Sequence, residues 1–192
     1  MEGISMNYID VFNLVLDSDD VTVGGGSASA LAGAQACGLF GMVCKLSVKK
    51  DFGIAPEKQL ELANELDDLK AMLLQGAVED TKAFQTIKAA YGLPKETEEE
   101  KAARRNAVSD AGVVAATAPM ENAKTIRRVY EIGQMINGKS NPNCHSDVVI
   151  GLELAKIGVN GCVMNIDANL SLIKDEAKVK EFQDAMAELE IK

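Results

Sequence analysis

At 192 residues, 47% of them hydrophobic but only 4% aromatic and none tryptophan, the chain has enough apolar material for one domain with a sizeable core. A net charge of −9 argues against a nucleic-acid partner, which needs a basic face to neutralise phosphates. Four cysteines with no CxxC pair, a single histidine (His145), no basic-then-apolar leader and no uninterrupted apolar stretch of spanning length predict a cytoplasmic protein without metal site or membrane contact.

Alanine, leucine, lysine and glutamate dominate, and strand-favouring residues form no sustained alternating run, so the fold class is all-α: an elongated helical bundle in a single domain over residues 1–192. In chain order, a short amphipathic helix is predicted over Tyr8–Leu16 and a loop over Asp17–Gly26. A helix rich in small residues follows from Ser27 to Lys49, then a turn over Asp51–Ala55. Pro56 suits the first position of the next helix, which runs to Tyr91. Its stripe steps by three or four residues through Leu62, Leu66, Leu69, Leu73, Ala77, Asp80, Phe84, Ile87 and Tyr91. Gly92, Leu93 and Pro94 break it. Thr97 and Glu100 form a capping box for a helix to Ala118, where Pro119 kinks or ends it before helix resumes to Ile136. After a polar loop over Asn137–Asn143, the stretch Ser146–Asn160 is apolar on nearly all sides and is expected in the interior or at a subunit interface. Asn165–Ser171 reads as a polar interruption, and Lys174–Ile191 as a charged final helix.

The segment VGGGSASALAGAQACGLFG, Val23–Gly41, carries the most information. Gly24, Gly25 and Gly26 permit close backbone approach and positive φ, and the following helix start offers unpaired N–H donors and partial positive charge. Ser27 caps this helix or touches the ligand. The competing reading makes the glycine triplet a turn and Gly33, Ala34, Ala36, Gly38 and Gly41 a close-packing seam. No Gly-Lys-Ser/Thr follows, so it is no P-loop, and no strand precedes it, so a dinucleotide fingerprint lacks its context.

Three groups of polar residues stand where apolar ones belong. Asp80 falls on the apolar stripe between Ala77 and Phe84, where it either pairs with a neighbouring cation or faces a pocket as a proton carrier. Asp147 opens the apolar helix behind Asn141, Asn143 and Ser146; it either complements the helix dipole or stands beside a ligand. Asn165, Asp167 and Asn169 form the third group. Lys45, Lys49 and Lys50 make one cationic cluster and Arg104 with Arg105 another, each a solvated face or an anion contact.

The segments GGGSASALAGA (Gly24–Ala34), MVCKLS (Met42–Ser47), EDTKAF (Glu79–Phe84), LPKETEEEKAAR (Leu93–Arg104), NPNCHSD (Asn141–Asp147) and GCVMNIDANL (Gly161–Leu170), in this order, resemble the cyclodeaminase/cyclohydrolase family of folate enzymes. The resemblance spans nearly the whole chain. It departs at Val23, where the family usually has proline before the glycines, and at Val148, where alanine is common. It implies an all-helical homodimer binding a tetrahydrofolate derivative near the glycine loop. The implied reaction is hydrolysis of 5,10-methenyltetrahydrofolate to 10-formyltetrahydrofolate, with cyclodeamination of 5-formiminotetrahydrofolate as the alternative. Neither chemistry requires a metal or redox cofactor. Carried over by position, Gly24, Gly25, Gly26 and Ser27 form the ligand loop, and Asp80, Asn143 and Asp147 supply polar groups at the site. The proton transfers that both reactions need make Asp80 the expected general acid/base and Asp147 the expected charge stabiliser or second proton carrier. Asn143 and Ser27 are expected to orient the pterin or the one-carbon unit, and Lys45, Lys49 and Arg104 to receive the glutamate tail. A helical dimer that binds an anionic metabolite without catalysis is the competing class.

Overall fold

The computed structural model describes residues 17–19 and 21–191, so the helix expected over Tyr8–Leu16 lies outside the described residues. Five α-helices are present among them: α1 (Gly25–Leu46), α2 (Pro56–Tyr91), α3 (Glu98–Ile136), α4 (His145–Leu170) and α5 (Glu176–Leu189), with a 3₁₀ turn at Pro142–Cys144. No strand occurs among the described residues. The helix boundaries follow local chemistry. Pro56 opens α2, and Gly92 closes it through its N–H on the Lys88 and Ala89 carbonyls. The expected box starts α3, with Glu100 N–H on Thr97 Oγ1 at 3.1 Å and Thr97 N–H on Glu100 Oε2 at 3.1 Å. Asp175 caps α5.

α1 packs against α2, α3 and α4, while α5 lies across α3 and α4. Gly25 adjoins Asn165, Gly151 adjoins Phe40, and Asn141 N–H donates to Ser47 Oγ at 2.9 Å, so α1 and α4 run antiparallel. Close packing rests on the small residues. A Cβ at Gly33 would stand 2.5 Å from Ile126, and one at Gly133 or Gly151 would overlap the fully buried Phe40 ring. The packing-seam reading therefore holds for Gly33. It does not hold for Gly38, beside which nothing lies within 4 Å.

Length mismatch creates the groove that matters for function. α2 and α3 have 36 and 39 residues, roughly 54 and 58 Å, whereas the 22 residues of α1 reach roughly 33 Å. α1 begins level with Asp80, so the predicted α2 stripe is buried at Leu62, Leu66, Leu73 and Ala77 but opens beyond them. Phe84 is 40% and Tyr91 49% exposed.

Two expected interruptions are absent. α3 continues through Pro119, which is buried inside it. Proline has no N–H to give the carbonyl four residues back, that of Ala115; Asn169 Nδ2 of α4 donates there instead, at 3.1 Å. α4 continues through the polar run to Leu170 because its asparagines fold back along the helix. Asn165 Nδ2 reaches Gly161 O at 2.9 Å and Asn169 Nδ2 reaches Asn165 O at 2.8 Å. Removing Asn169 leaves the Ala115 carbonyl unpaired, so Asn169→Ala is expected to cost about 1–3 kcal/mol in urea unfolding. The loss should shrink in a Pro119→Ala background, where the helical bond returns.

α1 and the Pro142–Leu170 segment are long and apolar enough, by length and composition, to cross a membrane. In α1 the apolar content is spent on the bundle, with 67% of its most apolar window buried. α4 differs: 39% of its window is buried, and Ile150, Ile157 and Met164 point outward at 52%, 62% and 71% exposure. It is thus not interior on all sides within one chain.

Candidate active site

The N-terminus of α1 meets α2 at Asp80. Gly24 is the N-cap, no side chain caps the helix, and its first turn carries no acid of its own. Asp80 supplies the missing negative charge from the neighbouring helix. Gly26 makes this approach possible, since a Cβ built there would overlap the Asp80 carboxylate. Gly25 has a milder constraint, with Asn165 Nδ2 3.1 Å from a Cβ at that position. Positive φ is not why these glycines are needed: among described glycines only Gly53 and Gly138 adopt it, and Gly24 has φ −112°.

Ser27 does not cap the helix; its side chain turns toward α2. It is 2% exposed, and its hydroxyl lies 2.9 Å from Asp80 Oδ2, 3.1 Å from Ala77 O and 3.2 Å from Thr81 Oγ1. It therefore positions the acid from behind. Desolvation pushes the Asp80 carboxyl above the usual carboxylate range, while the Ser27 hydroxyl and backbone N–H draw it partly back. No arginine or lysine forms a salt bridge with Asp80 among the described residues. The ion-pair alternative for this residue is thus not what the fold uses. Burial, with a smaller contribution from the Asp80 charge, pushes the Cys162 thiol up to about 12.

Asp80 opens onto a pocket of about 260 Å³, whose walls include Gly24, Gly26, Phe84, Ala115, Asn165 and Asn169. Both amide hydrogens of Asn169 are committed to carbonyls, at Ala115 and Asn165, which leaves Oδ1 as its acceptor for a ligand. The walls thus offer an acid, an amide oxygen, a helix N-terminus and an aromatic ring. Of the pocket's amides, sequence reasoning singled out Asn165 and Asn169 as polar anomalies without assigning them to the site. Their i, i+4 spacing was the usable signal, hidden by the expected loop; Asp167, between them, is exposed.

The remaining expected site residues divide between two other places. Arg104 lies farther along the same groove, in a pocket of about 440 Å³ with Tyr91, and its guanidinium sits 5.6 Å from the Tyr91 ring centre. Lys45, Lys49, Asn143 and Asp147 gather at the opposite end of α1, roughly 30 Å from the glycines by helix length. There Lys45 pairs with Asp67 at 2.7 Å. Lys49 and Asn143 line a shallow pocket with Phe52, and Asp147 occupies the first turn of α4. Within one chain the structure does not bring these four to Asp80, because α1 and α4 are straight, antiparallel rods with the two loops at opposite ends. His145 begins α4 and is exposed.

A family model described as Formiminotransferase-cyclodeaminase matches residues 8–188. The chain belongs to the formiminotransferase-cyclodeaminase family. Within this family, a methenyltetrahydrofolate cyclohydrolase of Methylorubrum extorquens is 32% identical over 185 residues, covering 94% of this chain and 89% of that protein. The formimidoyltransferase-cyclodeaminase of Gallus gallus is 27% identical over 184 residues, 91% of this chain but 32% of its own length. This chain thus spans about a third of that larger relative. The crystal structure of formiminotetrahydrofolate cyclodeaminase from Thermotoga maritima superposes with a TM-score of 0.81 over 97% of this chain and 90% of that one. At 23% identity it establishes the shared helical fold.

Proposed function

We propose that this family member hydrolyses 5,10-methenyltetrahydrofolate to 10-formyltetrahydrofolate, with Asp80 as the proton carrier. The supporting observation is a desolvated carboxyl, without a cationic partner, opening onto a glycine-bordered pocket in a chain similar over nearly its full length to a cyclohydrolase. The substrate carries a positive amidinium carbon between N5 and N10, which a carboxylate beside it stabilises electrostatically. Water adds to that carbon and gives one proton to Asp80. The carbon–N5 bond then breaks as Asp80 returns the proton to N5. The added oxygen becomes the formyl carbonyl on N10, and its remaining proton leaves to solvent.

Ser27 suits both states of this cycle. Its hydroxyl donates to the carboxylate when Asp80 is charged; when Asp80 is protonated, it accepts from the acid and donates to Ala77 O. In this reading Asn169 Oδ1, whose amide hydrogens are both committed elsewhere, accepts from pterin N–H groups. The reaction balances with water alone and calls for neither metal nor redox cofactor. A cytoplasmic setting belongs to the same reading, with Cys37, Cys44, Cys144 and Cys162 all free and buried.

Cyclodeamination of 5-formiminotetrahydrofolate remains the second reading because similar proteins carry that name. There N10 attacks the formimino carbon, and Asp80 protonates the departing ammonia. Purified protein separates the readings: loss of methenyl absorbance from the first substrate identifies a cyclohydrolase, and formation of methenyl absorbance from the second a cyclodeaminase. Folate binding without either conversion identifies a binding protein.

The outward face of α4 supports a homodimer, because Ile150, Ile157 and Met164 form an apolar row on one side of a helix already packed on the other. Ile157→Arg is expected to shift the protein from two chains to one in sedimentation velocity; an unchanged mass would refute that face. Asn143 and Asp147 could reach the Asp80 pocket only from a second copy.

A further inference from the structure

Pro119 and Asn169 stand on different helices, yet both act on one carbonyl. Pro119 is buried inside α3 and lacks the N–H that would pair with Ala115 O. Asn169 Nδ2 takes over that carbonyl at 3.1 Å and also reaches Asn165 O at 2.8 Å. Both partners are carbonyl oxygens, which only accept. Turning the amide over would set Asn169 Oδ1 against two oxygens and leave Ala115 O unpaired. The nitrogen is therefore committed to the wall, and the oxygen is left for the pocket that Ala115 and Asn169 both line. Asn165 O lies within α4 and has a helical N–H as well, so Ala115 O is the partner that fixes the amide. An N–H at position 119 would satisfy Ala115 O from within α3 and release that constraint.

We propose that Pro119 is a positioning residue: it fixes the Asn169 amide so that the pocket reads N8–H of a reduced pterin and rejects an oxidised one. The inference rests on the folate reading above. In a tetrahydropterin N8 carries a hydrogen and donates; in the fully oxidised ring N8 is a bare acceptor. The 2-amino group and N3–H donate in both states. N8 is therefore the ring atom at which a fixed acceptor separates 5-substituted reduced folates from folic acid. It lies across the same ring from N5, whose bond to the reacting carbon breaks. Asn165 stands beside Gly25 as Asp80 stands beside Gly26, and α4 runs antiparallel to α1. Asn169 thus lies one turn, about 6 Å, past the level of Asp80. One ring in a pocket of about 260 Å³ meets the acid on its N5 side and the amide oxygen on its N8 side. Against an oxidised ring that oxygen faces a second lone pair, and a site built for a donor discriminates strongly against a ligand without one.

Calorimetry on the purified protein tests this with three probes: 5-formyltetrahydrofolate, its analogue with a methylene group in place of N8–H, and folic acid. The parent protein is expected to bind the first about 10–100-fold more tightly than either of the others. Asn169→Ala should bring 5-formyltetrahydrofolate down to the level of the methylene analogue. Pro119→Ala should raise the affinity for folic acid, because the released amide can turn its NH₂ toward bare N8. The reduced-to-oxidised ratio should narrow by about tenfold. A proline that served packing alone would give no such gain for one ligand. Equal affinity of the parent for 5-formyltetrahydrofolate and its methylene analogue would overturn the proposal, and that comparison needs no variant. So would a reduced-to-oxidised ratio that Pro119→Ala leaves unchanged. Methenyl turnover alongside either result would leave the folate reading standing, whereas failure of all three probes to bind would overturn both.

Discussion

Replacing Asp80 by asparagine is expected to lower kcat for methenyl hydrolysis by about 10²–10⁴-fold, the range spanned by a positioned acid or base. The fold should survive, because asparagine keeps an oxygen for the Ser27 hydroxyl and removes a desolvated charge. The pH dependence follows from the direction of the shift. A carboxyl whose folded pKa lies above its unfolded one holds more protons when folded. Its contribution to stability is complete below the ordinary carboxylate range and is lost as pH rises through the raised folded value. At pH 8 the variant should therefore melt no lower than the parent. In catalysis the carboxylate form accepts water's proton, so kcat should fall on acidification through that raised value, and the acidic limb should vanish in Asp80→Asn. Steady-state rates across pH, with thermal melts of both proteins, check the two expectations together.

Gly26→Ala should be nearly as damaging, although it adds a single methyl group. That methyl would occupy the space of the Asp80 carboxylate, which must swing away and lose Ser27. Overpacking here costs about 1–3 kcal/mol of stability. A displacement of the acid by about 1 Å lowers turnover by about 10²-fold. Because both substitutions act through one group, Gly26→Ala/Asp80→Asn should be no slower than Asp80→Asn alone. An additive loss would mean that Gly26 serves the ligand directly rather than making room for the acid.

The sequence carried the bundle plainly, for reasons local to each helix end. Pro56, the Gly92–Pro94 break and the Thr97/Glu100 box act on their own turns, so their effect is legible without tertiary information. Pro119 and the Asn165–Asn169 run misled for one shared reason: the proline frees the Ala115 carbonyl and Asn169 of another helix fills it. A local reading registers two disruptions where the fold makes one hydrogen bond. Asp80 was legible because a carboxylate breaks an apolar stripe. Ser27 does not take the capping role because the helix starts two residues earlier than expected, at Gly25, which turns the hydroxyl toward α2. Proximity was the hardest property to read: Asn143 and Asp147 are polar loop and cap residues, and nothing in their spacing reports that antiparallel α1 and α4 carry them to the far end.

A structure of the protein with a stable 5,10-methenyltetrahydrofolate analogue tests the central claim most directly. The account predicts the bridging carbon, or one water attached to it, within about 3 Å of an Asp80 oxygen, with the tail running toward Tyr91 and Arg104. An analogue seated at the other end of α1, among Lys49, Phe52 and Asn143, with Asp80 facing an empty pocket, would contradict it.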